Sequence, residues 1–116
     1  MKLKVEYSTI VRDKMKDLKQ YLTESFGNKV AVNVLKKITF ALRSLSDFPE
    51  KGVSVSELFG VDTDFRCVYV KQNYFFYYID EKKIIVAEMF NEREDFMYKL
   101  FGVKSNTEDS DEYWDE

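Results

Sequence analysis

The sequence has 116 residues with 18 basic and 21 acidic side chains, a formal net charge of −3, and its ten Phe and eight Tyr exclude disorder over most of the length. One domain with a real but modest core is the expectation. The lack of any His and the single Cys67 exclude Ser–His and Cys–His nucleophiles, His or Cys metal sites and an internal disulfide, so any chemistry falls to Arg, Lys, Tyr and carboxylates.

The first element is a strand over Leu3–Tyr7, where apolar and polar residues alternate. The leading residues MKLKVEYS lack the apolar core of a secretory signal, and no stretch approaches the ~20 apolar residues of a membrane span, so a cytoplasmic protein without membrane contact is expected. Ser8 or Thr9 offers an N-cap. Val11, Met15, Leu18, Leu22 and Phe26 then follow at steps of four, three, four and four, the stripe of an amphipathic helix. Gly27 can close that helix in the left-handed conformation, and Asn28 can cap the next. Ala31, Val34, Leu35, Ile38, Leu42 and Leu45 form the apolar face of the second helix, and so short a connection gives an antiparallel hairpin. Lys14, Lys16, Lys19, Lys29, Lys36, Lys37 and Arg43 lie mainly between the apolar positions and read as solvated faces.

Ser46–Gly52 is a turn cluster with the only proline, Pro49. Val53, Val55 and Leu58 alternate with serines and predict a strand, followed by a loop over Gly60–Asp64. Phe65–Val70, Tyr74–Ile79 and Ile84–Phe90 read as three strands joined by Lys71-Gln72-Asn73 and Asp80-Glu81-Lys82-Lys83, turns tight enough to impose antiparallel pairing. Tyr74–Ile79 is almost wholly apolar or aromatic, which places it inside the sheet with both faces covered. Cys67 reads as a small hydrophobe packed in its strand. A short helix anchored by Phe96, Leu100 and Phe101 follows. Residues 106–116 hold six acids and no base, so residues 1–105 carry 18 basic and 15 acidic groups, a net of +3. Two regions are expected: a folded domain over 1–105 and an acidic, disordered tail over 106–116. A sharper alternative has Tyr113 and Trp114 docking on the basic body or on a partner.

The order is α+β: an N-terminal strand and helical hairpin packed on a twisted antiparallel sheet of about four to five strands, with a short C-terminal helix. No cofactor or metal is called for, since the four scattered glycines make no phosphate loop.

Few residues stand out as functional. Arg66 is either an exposed strand charge that protects an edge or a bidentate grip on phosphate or acidic protein. Tyr74 and Tyr78 share a strand face opposite Tyr77; they are core tyrosines or a stacking platform for an unpaired base. Asn91 and Glu94 have capping-box spacing, and first-turn acids suit a helix N-terminus. Arg93 opposes that dipole. An exposed ion pair is worth only about 0–1 kcal/mol, so stability gives Arg93 little reason to be there and function gives it more. Tyr98 and Lys99 belong to the same short helix.

Several pieces together resemble the RelE/ParE superfamily of bacterial type II toxins and plasmid stabilisation proteins. They are the hairpin with Gly27 in its turn, the exit Leu45-Ser46-Asp47-Phe48-Pro49 to Gly52, Phe65-Arg66, Asn73-Tyr74 through Tyr78 to Asp80, Arg93-Glu94-Asp95, and Leu100-Phe101-Gly102. The resemblance runs from Lys4 to about Gly102. It implies a small cytoplasmic toxin that causes growth arrest and is neutralised by a cognate antitoxin, with operon DNA bound through the antitoxin. The RelE-like branch cleaves mRNA on the ribosome. That branch typically carries Arg where Phe75 falls, and many members have His or Lys at the position of Asn91. The ParE-like branch inhibits DNA gyrase without being an enzyme, and its Arg followed by a Tyr-rich strand matches Phe65-Arg66 and Tyr74–Tyr78. The resemblance therefore implies a ParE-like gyrase inhibitor. A ribosome-dependent mRNA endoribonuclease (an mRNA interferase) is the alternative, and a degenerate toxin that only binds its antitoxin is a third. Arg66, Arg93 and Tyr98 are its catalytic candidates, and Arg66, Lys71, Tyr74, Tyr78, Asn91 and Arg93 its target-binding candidates.

Overall fold

A computed structural model describes residues 2–94. The expected C-terminal helix, Tyr98 and the acidic tail lie outside the described residues. The elements are β1 (Lys4–Tyr7), α1 (Thr9–Phe26), α2 (Asn28–Arg43), a 3-10 turn (Ser44–Ser46), β2 (Val53–Ser54), α3 (Val55–Phe59), β3 (Arg66–Val70), β4 (Asn73–Asp80) and β5 (Lys83–Asn91). The sheet order is β1-β5-β4-β3-β2. The meander β2 to β5 is antiparallel, with tight turns joining β3 to β4 and β4 to β5 and with α3 and a loop between β2 and β3; β1 adds in parallel beside β5, so the five-stranded sheet is mixed.

β4 is the central strand. Phe75, Phe76 and Tyr77 have no exposed surface, and each such side chain contributes about 1.5–3 kcal/mol by leaving water. Alternation sends them to two cores. Phe75 and Tyr77 join Val11, Ile38, Leu42, Leu45, Ile84, Val86 and Met89 under the hairpin. Phe76 joins Val55, Cys67 and Phe90 on the other face, with Phe59, Phe65 and Tyr74 packed around them. Burial pushes the Cys67 thiol up to about 12, as a strand hydrophobe would show.

β5 serves both cores by the same alternation, with a bulge that shifts which residues face the hairpin. Phe76 pairs with Glu88 and Tyr77 with Val86, which leaves Ala87 as the extra residue. Ile84 and Val86 face the hairpin before it; Met89 faces the hairpin after it, and Phe90 the opposite core. Ser8 anchors this bulge. Its N–H donates to Val86 O (3.0 Å), its Oγ donates to Ala87 O (2.9 Å), and the same Oγ accepts from Val11 N, making Ser8 the N-cap of α1.

Four local expectations are corrected. The strand read over Val53–Leu58 is only two residues long. Ser54 Oγ accepts from Glu57 N (3.3 Å), and Gly60 terminates the turn at φ 71°, ψ 22°, so capping converts the rest into α3. Gly27 has φ 94° and ψ 163°, outside the left-handed helical well and in a region open essentially to glycine; it caps both helices, and Asn28 is the first residue of α2. Phe26 belongs to the apolar stripe but is 60% exposed, because residues 23–30 project where no described element covers them. Lys14 is no solvated charge. β1 covers only residues 83–86 of β5, and beyond that point Lys14 Nζ binds Glu88 (2.7 Å) and Met89 O (2.9 Å) and sits 4.1 Å from the Phe90 ring centre. It takes over protection of the edge that β1 leaves open.

Candidate target-binding groove

The candidate residues separate to opposite ends of β3. At the N-terminal end, Arg66 is turned inward. Its Nε donates to Gly52 O (3.0 Å) and its Nη2 to Glu50 O (3.2 Å). The neighbouring Tyr77 hydroxyl accepts from Gly52 N (2.9 Å) and donates to Pro49 O (2.7 Å). Burial raises the Tyr77 pKa, opposed by the Gly52 hydrogen bond and the Arg66 charge. The Pro49–Gly52 loop is thus sewn to the sheet by two side chains, Arg66 and Tyr77. Tyr78 also belongs to this end, edge-on to Phe65 with ring centres 5.8 Å apart.

At the other end a groove of about 850 Å³ opens between the hairpin tip and the β3–β4 turn. Leu18, Tyr21, Leu22, Phe26 and Val34 form its apolar wall. Tyr69, Lys71, Gln72, Asn73, Asn91, Glu92 and Arg93 form its polar wall. Lys71, Asn91 and Arg93, spread over 23 positions of sequence, therefore meet here. Tyr74 lies just behind, its ring 5.1 Å from that of Tyr69.

The polar wall is held rigidly. Asn73 is buried, and its Nδ2 donates to Lys71 O (2.8 Å). Gln72 O accepts from Glu92 N (2.9 Å), which ties the turn to the end of β5. The capping-box spacing is used in part: Asn91 N donates to Glu94 Oε1 (3.0 Å), while Asn91 Oδ1 accepts from Arg93 N (3.0 Å). Those bonds fix the backbone that presents Arg93. Lys71 and Gln72 both have positive φ, 49° and 67°. A two-residue hairpin turn needs that geometry, and glycine or asparagine usually supplies it. A lysine there carries backbone strain that glycine would not, as Glu81 (φ 55°) does in the β4–β5 turn.

Tyr69, which sequence reasoning passed over, donates from Oη to Glu92 Oε1 (2.8 Å). That hydrogen bond, then desolvation and the carboxylate charge, raises its pKa, so at neutral pH the phenol stays protonated and serves as a donor. Tyr21 was also missed. It lies off the helix stripe and is 59% exposed, packed edge-to-face on Phe26 at 6.5 Å. An aromatic on the polar side of an amphipathic helix is the signal that could have found it. Chemically, the groove offers an apolar shelf, two cations and hydroxyl and amide donors, a set suited to gripping a partner. Among the described residues no group of three or more His, Cys, Asp or Glu is placed to hold a metal ion.

The family model for the ParE toxin of type II toxin–antitoxin systems, parDE, matches residues 5–96. The chain belongs to the ParE toxin family. No curated protein matches its sequence significantly. Among solved structures, the chromosomal ParDE toxin–antitoxin system from P. aeruginosa is similar, with a TM-score of 0.65 and 9% sequence identity over 77% of this chain and 95% of that one. At that identity the likeness is one of fold. In this ParE-family chain, Phe75 is fully buried under the hairpin. Membership implies an antitoxin partner, and among the described residues no helix is long and apolar enough to cross a membrane.

Proposed function

We propose that this ParE-family toxin acts in the cytoplasm as a non-enzymatic inhibitor of DNA gyrase, gripping its target through the groove between the hairpin tip and the β3–β4 turn. The observation that carries this reading is the pairing of an exposed apolar shelf, Tyr21 and Phe26, with Lys71 and Arg93 on a hydrogen-bonded frame. Protein interfaces draw on such aromatic and arginine anchors. Two further points support it. The Phe75 position faces the core, so no side chain there touches a substrate. Arg66 commits two of its five N–H donors to Gly52 O and Glu50 O, which favours a structural use of the side chain over stabilising phosphorane charge. A cognate antitoxin is expected to block the inhibition.

Purified protein should inhibit gyrase supercoiling or trap cleaved DNA, and the double substitution Lys71→Glu with Arg93→Glu should weaken that effect at least ~tenfold, about 1.4 kcal/mol. Full supercoiling activity in the presence of toxin, together with translation-dependent cuts in mRNA, would replace this reading by ribosomal endonuclease action. Neither effect, with retained antitoxin binding, would mark a toxin that has lost its target.

A further inference from the structure

A second groove, on the outer side of the hairpin, is unused by the function proposed above. It measures about 570 Å³ and is lined by Lys19 of α1 and Val32, Leu35, Lys36, Thr39, Phe40 and Arg43 of α2. Its chemistry is one-sided: three cations, no acid, and an apolar floor. Phe40 is 77% exposed, the most exposed large hydrophobic side chain among the described residues. Helix α2 spends Ala31, Ile38 and Leu42 on the core, so Phe40 does nothing for the fold. A ligand that fits here is a short acidic segment with an aromatic anchor.

The chain contains such a segment. Residues 106–116, NTEDSDEYWDE, place Tyr113 and Trp114 between six acids and carry no base. We infer that residues 106–116 dock in this groove of their own chain, with Trp114 or Tyr113 against Phe40 and the flanking acids facing Lys19, Lys36 and Arg43. The tether is long enough. The 19 residues from Glu94 to Tyr113, if extended, span up to about 60 Å, against a longest molecular dimension of 48 Å. Charge also selects this groove over the one at the β3–β4 turn, whose two cations share the wall with Glu92. The contact masks an aromatic, basic face when the chain is alone and yields it to a stronger acidic competitor or to salt, because screening at 1 M shortens the Debye length to about 3 Å. The inference stands independently of the gyrase reading.

Trp114 is the only tryptophan, so its fluorescence in the full chain reports the surroundings of the tail. At low salt its emission should be blue-shifted, and acrylamide should quench it severalfold less than in 1 M salt. Phe40→Ala, and separately Lys36→Glu with Arg43→Glu, should each restore free quenching while the far-ultraviolet circular dichroism stays unchanged. Lys71→Glu with Arg93→Glu should leave Trp114 protected. Trp114 quenched freely in the wild-type chain, or indifferent to all the hairpin substitutions, overturns the inference. So does protection lost only on substituting Lys71 and Arg93, or protection that grows with protein concentration, which would mean that a second copy holds the tail.

Discussion

The two ends of β3 each present an arginine, and the pair shows how position decides what a cation does. Arg66 lies where the Pro49–Gly52 loop meets the sheet, and two of its donors go to carbonyl oxygens of that loop. Arg93 lies where β5 runs out beside an open groove, and the hydrogen bonds there go to its backbone. Around Arg66 the tyrosine is Tyr77, buried and bonded twice to the main chain. Around Arg93 it is Tyr69, half exposed and bonded to a surface carboxylate. One end holds the fold, and the other, on the function proposed above, meets a partner.

The strongest way to break that contrast is to damage the structural end. A methyl group added at Gly52 would stand 2.7 Å from the Tyr77 hydroxyl and 2.9 Å from Cys67 O. The ring is buried and the carbonyl belongs to a paired strand, so neither can yield. Gly52→Ala is expected to cost about 3 kcal/mol in denaturant unfolding. Tyr77→Phe keeps the ring and removes the hydroxyl, leaving Pro49 O and Gly52 N without their partner at a cost of about 2 kcal/mol. A cost below that of a surface substitution for either variant would mean that the loop is not stitched to the sheet.

The two arginines sharpen the comparison directly. Arg66→Ala should cost about 1.5 kcal/mol, the value of hydrogen bonds from a charged donor. Arg93→Ala should leave the unfolding midpoint within about 0.5 kcal/mol of wild type, as surface changes do, while weakening target inhibition. Should Arg93→Ala destabilise the protein as much as Arg66→Ala, the groove would be structural as well, and its candidacy would end.

Much of this fold was legible because periodicity reports burial. The stripe from Val11 to Leu22 and the unbroken run from Tyr74 to Ile79 predicted the two helices' partner face and the central strand. What the pattern could not report was local capping. Val53, Val55 and Leu58 fit a strand as well as a helix; the spacing of Ser54 and Glu57, with Gly60 behind, decides for helix. Composition likewise could not say that Arg66 faces carbonyls, since an Arg beside an aromatic in a strand reads the same whether its partners are internal or foreign. Lys71, Asn91 and Arg93 were singled out one by one, but only the pairing of Asn73 with Asn91 across β4 and β5 brings them to one wall. Tyr21 and Phe26, both on α1, belong to the apolar wall that faces it.

The pH dependence tests the buried face of the structural end. The unfolded Cys67 thiol titrates near 9, and the folded one near 12. Between those values the unfolded chain has lost a proton that the folded chain retains, so stability is full below about pH 9 and falls as pH rises toward 12. The raised pKa of Tyr77 acts in the same direction above its ordinary value of 10.0. Unfolding midpoints measured from pH 8 to 10.5 should fall less steeply in Cys67→Ala than in wild type. Equal slopes would show that the thiol is wetter than its 6% exposure indicates.

The smallest effect expected tests whether the functional end carries strain. Lys71 and Gln72 hold positive φ without glycine, a conformation that costs a residue with a Cβ about 1–2 kcal/mol. Gln72→Gly removes that cost and keeps the main-chain bond from Glu92 N to Gln72 O. Glycine loses more chain entropy on folding, so the net gain should be about 0.5–1 kcal/mol. Lys71→Gly should stabilise by a similar amount and yet weaken target inhibition, since it relieves the same strain by deleting a groove cation. Stability and activity moving in opposite directions at residue 71, and stability alone moving at residue 72, is the pattern that a turn shaped for binding produces. If Gln72→Gly loses stability, the turn is relaxed as it stands, and the lysine's unusual backbone says nothing about its use.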